Sequence, residues 1–449
     1  MKHAELAIVV FLLSWISVGA AQAQNPPGQN IKRDLEVLDF IRKTISENYY
    51  DKNYRGIDLD AQFKTYAEKL KKSRSDQESL TLIAAAVMEF DDSHTNFHPP
   101  FLKQRVDYGW IMKMIGDSCV VTKVEPQSDA EKQGLKAGEV VLSIDGVQPS
   151  RSNLWKLEYF FRNLNPQNVR HLIVQTPEGK SRLVTIDAHY EKRLQSTPND
   201  ALKRHRQARQ RNLEMVRKVS DEIVLWKIPS ISHYEDEDID QILEAIKGYK
   251  KLILDLRENP GGSAELTSSI LGCLFSKEIK AYDYKDRKKV RPVWVKSHKK
   301  GAFNGELVAL VDSDSGSGAE IIARLVQLEK RGVVIGDRTA GAVMLSNMFR
   351  NKYTLARFGG NPDPSFYYGV QVSVADLLMP DGKSLERIGV LPDELLLPKP
   401  EDIADKRDPV LARAAAILGA DLDPEKAGAL MESLLSTSTT RVPLKAPFL

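Results

Sequence analysis

A serine between two glycines is the residue of this chain best placed to act as a nucleophile. Ser317 lies in Asp312-Ser-Asp-Ser-Gly-Ser-Gly-Ala-Glu320, between an apolar run over 307–311 and a segment with apolar residues at Ile321, Ile322, Leu325, Val326 and Leu328. The run reads as a strand, and the second segment, with its spacing near 3.6, as a helix. Ser317 therefore falls at a strand-to-helix turn, at the positive end of the helix and close to backbone N–H groups. A hydroxyl placed there can attack a carbonyl whose oxygen becomes an anion. The residue also has a simpler use, because Ser317 and Glu320 make Ser-x-x-Glu, the spacing of a helix capping box. Taken alone, this segment favours capping. A second reactive pair, Ser93-His94, sits in the polar loop 91–100, which two prolines close. Loops concentrate function, although a solvated surface histidine looks the same. The neighbouring Asp91 and Asp92 are more simply turn formers than metal ligands. His98, His189, His233 and His298 have no motif around them. Neither cysteine stands in a metal-ligand spacing, so no metal or cofactor is expected.

The elements that must position these residues fall into zones. Residues 32–90 repeat apolar side chains at three- and four-residue steps, as at Leu35, Leu38, Ile41 and Ile45, and predict helices. Residues 106–190 predict short strands, at 119–124, 140–144, 171–175 and 181–186. Residues 191–218 read as a charged helix. After it, strands at 222–228, 251–256, 307–311 and 333–335 alternate with helices at 238–249, 266–275 and 320–329. That alternation implies a largely parallel sheet with its chemistry at the carboxyl ends of the strands, where Gly261-Gly262 and Ser317 both fall. The turn is not the Gly-x-Ser-x-Gly elbow of the α/β hydrolases, since Ser315 and Ala319 hold its glycine positions.

With 449 residues, 42% hydrophobic and 28% charged, the chain has the composition of a soluble globular protein of several domains. Its 64 basic and 61 acidic side chains give a net charge of +3, too balanced for a nucleic-acid partner. The basic runs 203–211 and 285–300 read as solvated faces. Lys2, the apolar run 6–20 and Ala21-Gln-Ala23 have the form of a cleavable secretion signal, cut after Ala23. The expected location is periplasmic or secreted, with no stable membrane insertion after cleavage. Cys119 and Cys273 are expected as two isolated buried thiols. The chain from 436 onward reads as a tail, and 411–435 as a helical segment able to form a contact. The oligomeric state stays open.

Two resemblances follow from the motifs. Val120 to Val147, with Gly134-Leu-Lys-Ala-Gly138 and Ile144-Asp-Gly146, resembles the PDZ domain of bacterial proteases. PDZ domains add an extended peptide to a sheet edge, and Tyr108, Gly109, Trp110 and Ile111 are the expected loop and strand. Asp255-Leu-Arg-Glu-Asn-Pro-Gly-Gly262, Ser315-Gly-Ser-Gly-Ala-Glu320, Gly336-Asp-Arg-Thr-Ala-Gly341 and Glu386-Arg-Ile-Gly-Val-Leu-Pro-Asp393 resemble, in that order, the C-terminal-processing (tail-specific) serine peptidases. The resemblance spans about 80–395. It implies an α/β multidomain fold: residues 24–105 helical with the Ser-His loop, 106–190 a PDZ domain, 191–400 a ClpP/crotonase-like peptidase core, and 401–449 a C-terminal helix and tail.

One departure bears on mechanism. The family's tail-specific branch places a lysine where this chain has Ala342, and no lysine occurs between Lys330 and Lys352. The tricorn-core-like branch lacks that lysine and uses a histidine that follows a serine ahead of the PDZ domain; Ser93-His94 matches it. Glu386 matches that branch's glutamate. The resemblance thus implies Ser317 as nucleophile, His94 as base, Glu386 and Ser93 as orienting groups, and an oxyanion hole from Gly318 with Gly261 or Gly262. The implied activity is hydrolysis of unfolded or C-terminally recognised polypeptides. The alternative is a non-enzymatic relative that binds peptide or another ligand.

Overall fold

A computed structural model describes residues 31–100, 104–192, 198–232, 234–352 and 367–436. The expected signal and tail, and His233, fall outside them. Three helices come first: α1 (Ile31–Asn48), α2 (Leu59–Leu70) and α3 (Asp76–Met88). Their apolar stripes are buried, with Leu38, Ile41 and Ile45 on α1 and Leu59, Phe63, Tyr66 and Leu70 on α2. Asp58 and Ser75 cap α2 and α3 by accepting first-turn N–H groups. The Ser-His loop follows, then a short strand, β1 (Asn96–His98).

Strand β2 (Gln104–Asp107) leads into β3 (Trp110–Ile115), β4 (Ser118–Val124), β5 (Val140–Ile144), β6 (Val169–Gln175), β7 (Ser181–Asp187) and β8 (His189–Lys192). Strands β3 to β7 form one antiparallel sheet in chain order, which leaves β3 at an edge. The helices here are α4 (Asp129–Lys132) and α5 (Leu154–Tyr159). Gly134, Gly138 and Gly146 have φ of 75°, 87° and 83°, as their turn positions require.

The rest of the chain contributes helices α6 (Pro198–Leu213), α7 (Asp236–Ile246), α8 (Ala264–Leu274), α9 (Gly318–Leu328), α10 (Pro400–Ala404), α11 (Pro409–Ile417) and α12 (Pro424–Ser436). Its strands are β9 (Val216–Lys218), β10 (Ile223–Lys227), β11 (Lys251–Asp255), β12 (Ile279–Lys285), β13 (Val290–Val295), β14 (Glu306–Val311), β15 (Val333–Gly336), β16 (Met344–Lys352), β17 (Tyr367–Leu378) and β18 (Glu394–Leu395). One sheet has the order β18-β15-β14-β11-β10-β9 and is parallel except at β9. Alternate residues of its strands enter two cores. Val224, Leu252, Ala309 and Val334 pack with α7, α8 and α9, whereas Leu225, Ile253, Leu310 and Ile335 pack with α11 and α12. Burial on both faces is why these strands read as unbroken apolar runs. The segment expected as one helix over 411–435 is two, α11 and α12, separated at Gly419 (φ 82°) and Pro424. Both pack on the sheet through Val410, Leu411, Ala414, Ala427 and Leu434.

A second, antiparallel sheet has the order β1-β17-β12-β13, with β16 also on β17. Through it the Ser-His loop reaches the core: Asn96, Phe97 and His98 pair with Gln371, Val370 and Gly369. The β3–β7 sheet docks nearby, with Gly116 N–H and Arg151 bonded to Asp337 at 2.8 and 2.5 Å and with further contacts from β3 and α5. Its edge strand β3 meets the loop before Ser317, where Lys113 Nζ bonds Asp312 at 2.9 Å and Ser313 donates to the Met114 carbonyl at 2.5 Å. On α5, Tyr159 donates to the Phe97 carbonyl at 2.5 Å.

Candidate active site

Ser317 precedes α9 with φ 53° and ψ −116°, a strained backbone that costs a non-glycine residue about 1–3 kcal/mol. Ser317 is the N-cap of α9 and forms a capping box with Glu320, whose side chain accepts the Ser317 N–H at 3.0 Å. The Glu320 N–H also donates to the Ser317 carbonyl, at 3.0 Å. Ser317 therefore does cap α9, as its spacing to Glu320 implies, and what sets it apart from an ordinary cap is its strained backbone. The loop beside it explains the glycines. A Cβ on Gly261 would lie 2.6 Å from that of Ser317, and one on Gly318 would lie 2.5 Å from Thr267 Oγ1. Asn259 holds this loop: its carbonyl accepts from Gly316 N–H and its side chain accepts from Gly261 N–H, both at 2.8 Å. The Gly261 N–H is thus already engaged and is not an oxyanion donor, contrary to expectation. Gly262 and Gly318 carry the N–H groups that remain for that purpose.

The base side comes together across 293 positions of sequence. Ser93 Oγ lies 2.6 Å from His94 Nδ1 and donates to Glu386 Oε2 at 2.8 Å. Since that hydroxyl has a single proton and gives it to Glu386, His94 Nδ1 carries the proton between itself and Ser93. His94 Nε2 is then the bare nitrogen. Glu386 Oε1 also accepts from Ser93 N–H at 2.7 Å. The glutamate is not a surface carboxylate: its side chain is 6% exposed, with Arg387 Nε 3.7 Å from Oε1, while Arg387 bonds Asp91 at 2.8 Å. Asp92 is the turn former expected, accepting from His94 N–H, Thr95 N–H and Ser373 Oγ. Among the described residues no group of three or more His, Cys, Asp or Glu could hold a metal ion.

The two sides meet at the turn 341–343. Glu320 accepts from the N–H groups of Ser317, Gly341 and Ala342, and Glu386 accepts from Val343 N–H. Residues 222–396, which contain this turn, match the model of peptidase family S41. Over 419 residues the chain is 22% identical to carboxyl-terminal-processing peptidase 2, a chloroplastic protein of Arabidopsis thaliana, covering 88% of this chain and 76% of that one. It is 27% identical over 301 residues to a tricorn protease homolog of Saccharolobus solfataricus, covering 67% of this chain and 25% of that one. The structure of mature CPAF complexed with lactacystin matches 91% of this chain and 99% of its own, with a TM-score of 0.63 at 14% identity. The chain is a serine peptidase, and its residues 222–396 are similar to family S41.

Charge in the peptidase site is set mainly by burial. Burial, with Arg387 adding to it, lowers the His94 imidazole to about 4 against the pull of Asp92. Burial raises the Glu386 carboxyl to about 7, helped by Asp92 and opposed by Arg387 and Ser93. Burial likewise raises Glu320 to about 7 against its four donors. Carboxyls raised in the folded state contribute stability that is complete below about 4.5 and is lost as pH rises through about 7. Acid therefore does not unfold the protein through these groups, but it protonates Glu386, which then cannot accept from both Ser93 and Val343. The expected result is that kcat/KM rises with pH around a midpoint near 7, reversibly and with an unchanged circular dichroism spectrum. A midpoint near 4 would assign the limb to His94 instead.

The expected peptide site is partly redrawn. Gly109 N–H is bonded to Asp107 at 2.9 Å. Tyr108, Trp110 and Met112 line a narrow pocket with Ile144, Glu158, Phe161, Arg162 and Arg170. Arg170 bonds Asp145 at 2.5 Å, and its guanidinium lies 3.6 Å from the Phe161 ring centre. Its Nε and Nη2, and Trp110 Nε1, are buried donors without a partner. Sequence reading missed Arg170 because β6 presents it on the inward face with Leu172 and Val174, where an apolar residue is expected.

Proposed function

We propose that the chain is a periplasmic or secreted endopeptidase that cleaves unfolded polypeptides, with Ser317 as nucleophile and His94 as base. Ser317 Oγ attacks the peptide carbonyl carbon as its proton passes to His94 Nε2. The oxyanion is received by the Gly318 and Gly262 N–H groups. The C–N bond then breaks, and His94 returns the proton to the leaving amine. Water, deprotonated by the same imidazole, releases the acyl group and restores Ser317. Through each step Ser93 and Glu386 keep Nδ1 protonated and stabilise the imidazolium. The observation that carries this reading is the Glu386–Ser93–His94 hydrogen-bond chain, which orients an imidazole without any lysine at 342.

The β3–β7 sheet is read as a PDZ module that holds the carboxyl end of a substrate. Three buried unpartnered donors, on Arg170 and Trp110, in a groove at an edge strand support that reading. Export is read from the leader-like start of the chain; among the described residues no helix is long and apolar enough to cross a membrane. Incubation of the purified chain with casein tests the activity, alongside an organophosphorus serine reagent followed by mass spectrometry. Fragments, with the reagent on Ser317, are expected. Modification of another serine would overturn the assignment, and an intact casein with an unmodified chain would overturn the activity.

A further inference from the structure

Three consecutive backbone N–H groups of one turn are divided between two buried carboxylates. Gly341 and Ala342 donate to Glu320 at 2.8 Å each, and Val343 donates to Glu386 at 3.0 Å. Glu320 is completely buried. Its other acceptor positions are taken by Thr339 Oγ1 at 2.6 Å and Ser317 N–H at 3.0 Å. Four donors match the lone pairs of an ionised carboxylate, and among the described residues no cation bonds it. A helix cap needs only the Ser317 bond. The other three tie the start of α9 to a turn whose far side holds Glu386, and through it Ser93 and His94.

We infer that Glu320 is a positioning residue for the peptidase reaction: through the turn 341–343 it fixes Ser317 relative to His94. Backbone bonds at Ala342 thus stand where the resemblance places a lysine side chain. Two physical requirements make the link consequential. The strained backbone of Ser317 persists only if its surroundings over-determine it, and Glu320 holds its N–H. Attack also requires close alignment, and a displacement of about 1 Å costs on the order of 100-fold in rate. Glu320 touches no substrate in this scheme; it acts through Ser317.

The inference rests on the Ser317–His94 reading, and its test separates the two. In Glu320→Gln the side-chain volume is kept, but an NH2 group faces two of the four donors. The full-length chain is assayed for casein-peptide cleavage, with the active fraction counted by the organophosphorus reagent. For titratable molecules kcat is expected to fall on the order of 100-fold while KM stays within about twofold. Thr339→Val, which removes one donor at similar volume, gives a smaller fall of the same kind and serves if the first variant does not fold. A kcat per titrated site within about threefold of wild type in whichever variant folds overturns the inference. A wild type whose Ser317 does not react overturns the nucleophile reading and this inference with it.

Discussion

Ser317→Ala is expected to lower kcat on the order of 10⁶-fold, with circular dichroism and thermal midpoint close to wild type. The capping box keeps the Ser317 N–H to Glu320 bond when the hydroxyl is removed, so the loss removes the nucleophile and little else. Relief of the strained φ of 53° does not follow, because alanine carries the same Cβ. His94→Ala is expected to cost nearly as much, since the two act as a unit and removing either idles the other. The measurement is kcat on a fluorogenic peptide, with casein as a check. Residual rates about 10³-fold above water in both variants would be the share left to the oxyanion donors and to binding. Full activity in His94→Ala would place the base elsewhere and sink the mechanism.

Glu386→Gln separates geometry from protonation. Gln fits the same space, but its amide can donate to Ser93 Oγ, which frees the Ser93 proton to point at His94 Nδ1. The imidazole then carries its proton on Nε2, the nitrogen that must accept one. A wrong tautomer of this kind costs on the order of 10⁴-fold in kcat in the chymotrypsin-type triad. A loss of about 10²–10⁴-fold is expected here, with KM little changed and the pH midpoint near 7 shifted or abolished. If the variant kept wild-type kcat, Ser93 and Glu386 would be scaffolding for the loop and no part of the relay.

How much of this was legible in the sequence depends on how local each signal is. The parallel sheet was readable because β10, β11 and β14 are buried on both faces and leave unbroken apolar runs. The second sheet was not: β12 and β13 interleave Lys280, Asp283, Lys285 and Arg291 with Tyr282 and Trp294, and part of that stretch reads as a basic, solvated run. Ser317 announced itself by its turn. Ser93, His94 and Glu386 came from motif resemblance, because a relay bonded across the whole chain has no local signature. Asn259 and the full bonding of Glu320 required the fold, since each joins segments that are separate in sequence. The redrawn groove is a case of the same kind, with Arg170 tolerated on an inward face by Asp145. The matching family model is that of a peptidase, as are the relatives named above, and the ligand-binding alternative gains nothing from them.

The pairing of β1 with β17 sets a schedule. Ribosomes deliver the Ser-His loop early, but the strand that seats it starts only at Tyr367, and Glu386 emerges 293 residues after Ser93. Contacts so distant in sequence form late, because closing the loop precedes any gain from the contact. A nascent or partly threaded chain therefore holds a histidine with no relay and, until 317 follows, no nucleophile. On the proposed mechanism, self-digestion during synthesis is avoided by the order of assembly.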